Sequence, residues 1–107
     1  PKTIARHEVL CSLEDIAYAS MKLLKFGGRL YMVHRPHRLT DIICTLRENK
    51  LEPKRIRFVQ PYAGREPNMV LVEAVRSGKP MVKVMPALVI YNSDGTYTDE
   101  AIDIYYN

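Results

Sequence analysis

The sequence predicts a mixed α/β domain. Three observations carry this. Two amphipathic stretches, Glu8 to Lys25 and Leu39 to Lys50, repeat apolar residues at three- and four-residue steps. Between them Leu30 to Val33 is a continuous apolar run bounded by glycine and by charge, which suits a strand. Strand-like runs at Lys54–Val59 and Met69–Val75 then follow the second helical stretch. Strand, helix, strand in succession argues a crossover between parallel strands, with the next strand running back.

The elements follow in order. Val9, Leu10, Leu13, Ile16, Ala17, Met21 and Leu24 share one helical face. Ser12-Leu13-Glu14-Asp15 matches a capping box, but apolar Val9 and Leu10 precede it, so the helix starts at either point. Lys22 and Lys25 sit where the helix dipole favours cations, and Gly27 is expected as the left-handed residue just past the helix end. Continuous apolar residues from Leu30 to Val33 predict a strand covered on both faces and paired in parallel with Lys54–Val59. Pro36 suits the first turn of the next helix, whose stripe is Leu39, Ile42, Ile43 and Leu46.

Lys54–Val59 alternates, with Ile56 and Phe58 one way and Arg55 and Arg57 the other. Pro61, Gly64 and Pro67 mark Gln60–Asn68 as a loop, and Ser77-Gly78-Lys79-Pro80 breaks the pattern after Met69–Val75. Val82 to Tyr91 is apolar and extended, and Asn92-Ser93-Asp94-Gly95 is a turn. Thr98 then caps a short last helix to about Tyr106; the alternative is a hairpin with Tyr91 and Tyr97 flanking the turn. No repeat or linker divides the 107 residues, so we expect one domain, with sheet and helices over 1–80 and a C-terminal extension over 81–107.

Apolar residues make up 47% and charged residues 26%, a balance that supports a core and argues against a disordered tail. The formal net charge of +4 is compatible with an acidic polymer as partner. No apolar run is long enough to span a membrane and no signal-peptide pattern is present, so a cytoplasmic location is expected. Cys11 and Cys44, far apart and in no metal-ligand spacing, are expected as reduced core or near-core thiols.

No constellation of catalytic residues stands out. Gly27-Gly28 precedes a strand, whereas a phosphate-cradling loop follows one and opens a helix. His34 and His37 lie three apart without a nearby cysteine or carboxylate, so no metal site is expected. Charge is more informative. His34, Arg35, His37 and Arg38 follow a strand, at the sheet edge where ligands bind in open α/β folds. Either these cations form a solvated face or they contact phosphates. Tyr62, Arg65 and Asn68 share that edge, because their loop follows the other parallel strand. Lys50, Lys54, Arg55 and Arg57 start a strand, on the opposite edge, and are expected to face solvent.

Ordered segments then add a resemblance. They are Ala5-Arg6-His7-Glu8, Leu13-Glu14-Asp15-Ile16, Leu23-Leu24-Lys25-x-Gly27-Gly28-Arg29, Met32-Val33-His34-Arg35-Pro36-x-Arg38-Leu39, Leu51 to Arg57 and Glu66 to Glu73, with a tail of Pro86 to Tyr91 and Asp94-Gly95-x-Tyr97-Thr98. Together they resemble the C-terminal half of small-domain S-adenosylmethionine-dependent methyltransferases, nearest the bacterial tRNA adenine N6-methyltransferase-like proteins. The resemblance implies the C-terminal portion of a Rossmann-like methyltransferase sheet. Leu30–Val33, Lys54–Val59 and Met69–Val75 become its fifth, sixth and antiparallel seventh strands.

The family's glycine-rich cofactor turn, its acidic residue and its Asn-Pro-Pro-aromatic motif have no counterpart in these residues. No catalytic or cofactor-binding residue can therefore be carried over, and a fragment that is inactive alone is expected. In the longer enzyme, S-adenosylmethionine would be the cofactor and RNA, as tRNA, the partner. Arg6, His7, His34, Arg35, His37, Arg38, Tyr62, Arg65 and Asn68 are the candidate RNA-facing residues. With an open strand edge, the fragment is expected to self-associate as a dimer. A stand-alone basic RNA-binding module without catalysis is the alternative.

Overall fold

The computed structural model describes residues 12–106. In chain order these form α1 (Leu13–Leu23), β1 (Arg29–His34), a 3₁₀ turn (Pro36–Arg38), α2 (Leu39–Glu48), β2 (Leu51–Tyr62), β3 (Met69–Arg76), β4 (Lys83–Val84), β5 (Leu88–Tyr91) and α3 (Asp99–Tyr106). One mixed sheet unites the strands. β3 lies between β1 and β2 and is antiparallel to both, while β4 and β5 pair in parallel with successive stretches of the far edge of β2.

Helix α1 begins at the capping box. The Ser12 hydroxyl accepts from the Asp15 amide at 3.2 Å, and Asp15 Oδ2 accepts from the Ser12 amide at 3.1 Å. The alternative start near Val9, like Arg6, His7 and Cys11, lies outside the described residues. The other end corrects an expectation. Leu24 already adopts an extended conformation, so Gly27, left-handed at φ 80°, is not the helix-closing residue. It serves a separate turn, closed by the Gly28 amide donating to Lys25 O at 2.9 Å. That turn is tied to the sheet, because the Gly27 amide donates to Arg76 O and the Arg76 amide to Gly28 O.

Two further corrections concern the sheet. β1 and β2 do run parallel, but they do not pair with each other; β3 fills the slot between them. Burial explains the choice. β3 carries Val70, Val72 and Ala74 into the core and buries Glu73 on its other face, whereas β2 carries half-exposed arginines. The strand most hidden on both faces takes the slot between β1 and β2, while β2, also paired on both edges, carries β4 and β5 on its far side. The second correction is that β1 is covered on one face only, among the described residues. Leu30 and Met32 pack inward, while Tyr31 is 66% and Val33 62% exposed.

The main core lies between the two helices and one sheet face. Leu13 and Ala17 of α1 and Ile42 and Leu46 of α2 close over Leu51, Ile56, Val70, Val72 and Ala74. Cys44 sits on the outer side of α2 and is exposed, against the expected near-core position. On the other sheet face a smaller cluster, Val59, Leu88 and Ala101, is buried where α3 packs on β5.

Strand β2 outlasts its expected end, reaching Tyr62, because β5 pairs with Gln60 and Tyr62. Pro61 is tolerated there since β2 has already passed Met69, the first residue of β3. Both alternatives for the tail coexist. Tyr91 and Tyr97 form an antiparallel bridge around the turn, and Thr98 caps α3 directly afterwards, its hydroxyl accepting from the Ala101 amide at 3.2 Å. In the turn, Asp94 accepts from the Thr96 hydroxyl and amide, which holds its carboxyl below the usual range.

Leu46 is fully buried where α2 meets the sheet. Leu46→Ala is expected to lower stability by about 2–5 kcal/mol, read as a fall in the urea midpoint at unchanged slope. A loss within experimental error would mean that α2 is not docked as described.

Candidate functional site at the strand ends

The site is built where parallel strands stop. His34 of β1 and Phe58 of β2 both stand opposite Val70 of β3, so the carboxyl ends of β1 and β2 lie on one rim. Immediately after His34 the chain turns through Arg35 into the Pro36–Arg38 turn, whose proline presets the backbone. This tight turn gathers the cations that the sequence singles out. His34, Arg35, His37 and Arg38, with Ser12 and Glu14 from the start of α1, line an open depression of about 480 Å³.

Each side chain is held differently. His34 Nδ1 accepts from the Arg35 amide at 3.0 Å, which fixes the ring and leaves Nε2 as the free nitrogen. Arg38 Nε donates to Asp41 Oδ2 at 3.1 Å, an exposed pair. Among the described residues, no hydrogen bond or ion pair engages the Arg35 or His37 side chain. Arg35 is thus an uncommitted cation at the rim with the His37 ring beside it, next to the start of α1, whose first turn carries Glu14 and Asp15. Such an arrangement suits an anion, above all a phosphate.

The remaining candidates are not part of that depression. Tyr62 and Arg65 line a separate open one of about 800 Å³, with Tyr91, Asn92, Ser93 and Thr98. Asn68 lines neither of these two; its amide donates to Val59 O at 2.9 Å and closes the β2–β3 connection. Arg6 and His7 lie outside the described residues.

Of the cations around the start of β2, Lys50 is exposed as expected, whereas Lys54, Arg55 and Arg57 have structural tasks. Lys54 Nζ donates to Lys79 O at 2.9 Å, and Arg57 holds Pro86 O and Glu100. Arg55 forms a two-pronged pair with Glu73, Nε to Oε1 at 3.1 Å and Nη2 to Oε2 at 2.8 Å. Glu73 is the residue that sequence reasoning missed. It is only 6% exposed, and Arg29 Nη1 approaches its Oε2 at 3.6 Å. The Arg55 guanidinium holds the Glu73 carboxyl below the usual range; burial opposes this, and hydrogen bonding from Tyr31 and the charge of Arg29 add to it. The available signal was a single acid in an apolar strand flanked by strands carrying arginines.

Among the described residues, no three His, Cys, Asp or Glu side chains group to hold a metal ion. The Gly27 and Gly28 amides already donate to Arg76 O and Lys25 O, so they do not fit as a cradle for a nucleotide-like cofactor. No helix of the described residues is long and apolar enough to cross a membrane.

No family model and no curated protein match the chain. A solved structure similar to it is the crystal structure of a predicted O-methyltransferase, protein Atu636 from Agrobacterium tumefaciens. The two share 19% sequence identity with a TM-score of 0.81, covering 88% of this chain and 45% of that one. The fold is therefore methyltransferase-like, a sheet of parallel and antiparallel strands with flanking helices. The chain spans less than half the length of the structure it matches.

Glu73 gives a pH signature. Its folded-state pKa is lowered, so the carboxylate contributes stability above the ordinary value near 4.3, and that stability is lost as pH falls through the folded value. Glu73→Gln is expected to be less stable than wild type at pH 7, with the gap closing only below about pH 4. Urea midpoints across pH 3–7 test this. A gap independent of pH would assign the loss to packing instead.

Proposed function

We propose that the chain is the C-terminal portion of an S-adenosylmethionine-dependent N-methyltransferase acting on adenine, or another base, in cytoplasmic tRNA. By itself it transfers no methyl group. The observation that carries the reading is the cationic rim at the carboxyl end of β1, in a sheet of methyltransferase-like fold. The sequence segments resembling tRNA adenine N6-methyltransferases narrow the substrate further.

A base in a folded RNA must leave its stack before its amino group can react. The displaced backbone then needs holding. Arg35 is an uncommitted cation at the rim, the His37 ring and Arg38 stand beside it, and His34 offers Nε2. Their task is to bind and orient phosphates next to the cleft. The cofactor and the groups that position the amino nitrogen belong to residues beyond this chain. The second reading, a basic RNA-binding module without catalysis, is favoured by the committed Gly27 and Gly28 amides. Methylation of tRNA by a longer protein containing the chain separates the two.

The open edge of β1 leads us to propose a dimer. Tyr31 and Val33 are exposed on a strand that pairs on one side only, among the described residues, and no charge interrupts Leu30 to Val33. Such an edge invites a second copy.

Charge reversal, Arg35→Glu with Arg38→Glu, is expected to weaken tRNA binding and to reduce the slope of log K against log salt by roughly 1.5; unchanged affinity would remove the rim from RNA contact. Light scattering is expected to give a dimer that Val33→Lys converts to monomer, and a wild-type monomer at high concentration contradicts self-pairing.

A further inference from the structure

Three tyrosines line up beyond the cationic rim. Tyr62 and Tyr91 are register partners on β2 and β5, and Tyr91 is bridged to Tyr97 across the turn. Backbone pairing thus sets the rings on adjacent lanes of one face. Tyr62 and Tyr91 have centroids 5.4 Å apart, tilted by 33°; Tyr91 and Tyr97 are also 5.4 Å apart and stacked within 21°. The Arg65 guanidinium lies over the Tyr62 ring at 6.0 Å.

This ladder is not core. Tyr97 is 57% and Tyr62 38% exposed, and the buried cluster beside it consists of Val59, Leu88 and Ala101. Its walls are polar and partly unspent. Asn92 Nδ2 donates to Thr96 Oγ1 and Tyr97 O, which leaves its Oδ1 as an acceptor. Among the described residues, no carboxylate engages Arg65. The rings face one another, so the row offers its exposed Tyr97 end to a further ring, while Arg65 covers the Tyr62 end and meets no carboxylate. An aromatic row with a cation beside it suits single strands, because every base has a face to stack.

We infer that Tyr62, Tyr91 and Tyr97 form a stacking platform for unpaired bases of single-stranded RNA, with Arg65 on the backbone. The inference deepens the RNA reading and rests on it for the class of ligand. Charge sets the polarity of the platform. Asp94 lies in the turn joining Tyr91 to Tyr97, so phosphates run along the Arg65 side and bases cover the Tyr97 end. The platform shares the rim with His34 to Arg38, since β1 and β2 point the same way.

The test is fluorescence anisotropy at low salt with a labelled single-stranded RNA of about ten nucleotides, using the chain as it stands. Tyr97→Leu and Tyr62→Leu are each expected to weaken binding about tenfold, Tyr97→Phe to keep it, and a duplex of equal length or free AMP to bind far less. Leucine variants that bind like wild type, or a duplex held as tightly as the single strand, overturn the platform. Tighter binding of AMP than of the strand would make it a mononucleotide site and overturn it too. Should the leucine variants not fold, NMR of the wild type decides, since tyrosine ring signals must shift on titration and unmoved signals refute stacking. Affinity lost with Arg35→Glu and Arg38→Glu but not with Tyr97→Leu would sink the platform and leave the RNA reading standing.

Discussion

Everything in this sheet depends on β3 having both edges paired. β1 and β2 never touch along their lengths, and only the antiparallel strand between them holds them in common register. Its helix-facing side chains, Val70, Val72 and Ala74, form the floor of the main core. Its opposite side carries Glu73, which draws together Arg55 from β2 and Arg29 and Tyr31 from β1. A buried carboxylate is costly unless its oxygens are satisfied. Here both oxygens are engaged, and the partners come from both neighbouring strands. The carboxylate therefore ties β3 to both of its neighbours on that face.

The rim follows from that register. Because β1 and β2 stop on the same side, their following turns present side chains to one side of the sheet. The proline turn after β1 gathers cations, while β2 runs on beyond β3 and delivers Tyr62 to β5. A depression lined by arginine and histidine and an aromatic ladder thus lie along one edge without sharing a residue. In open α/β sheets this edge is where ligands bind.

Local chemistry was legible in the sequence, and long-range choices were not. The Ser12 capping box, the Pro36 turn, the Leu39–Leu46 stripe and the Thr98 cap all depend on a few neighbouring residues, and each took its expected place. Gly27 was recognisable as left-handed but not as part of a turn stitched to Arg76, far along the chain. The pairing of β1 with β2 failed for the same reason, since the returning strand chooses its slot by burial on both faces. The cations from His34 to Arg38 were visible as a cluster. The tyrosine ladder was not, because its members meet only through the pairing of β2 with β5 and the bridge to Tyr97.

The insertion of β3 also orders events in time. β2 and β3 are joined by a short connection and can pair as a local hairpin soon after both have left the ribosome. β1 is made earlier, yet its partner does not exist until α2, β2 and β3 have all been synthesised. Its apolar run lacks the β3 partner through that interval. Contacts of such high sequence separation form late and slowly, and an exposed apolar strand is the species most prone to wrong partners meanwhile. The strand that waits longest for β3 is thus the part of these residues in greatest need of protection while the chain is made.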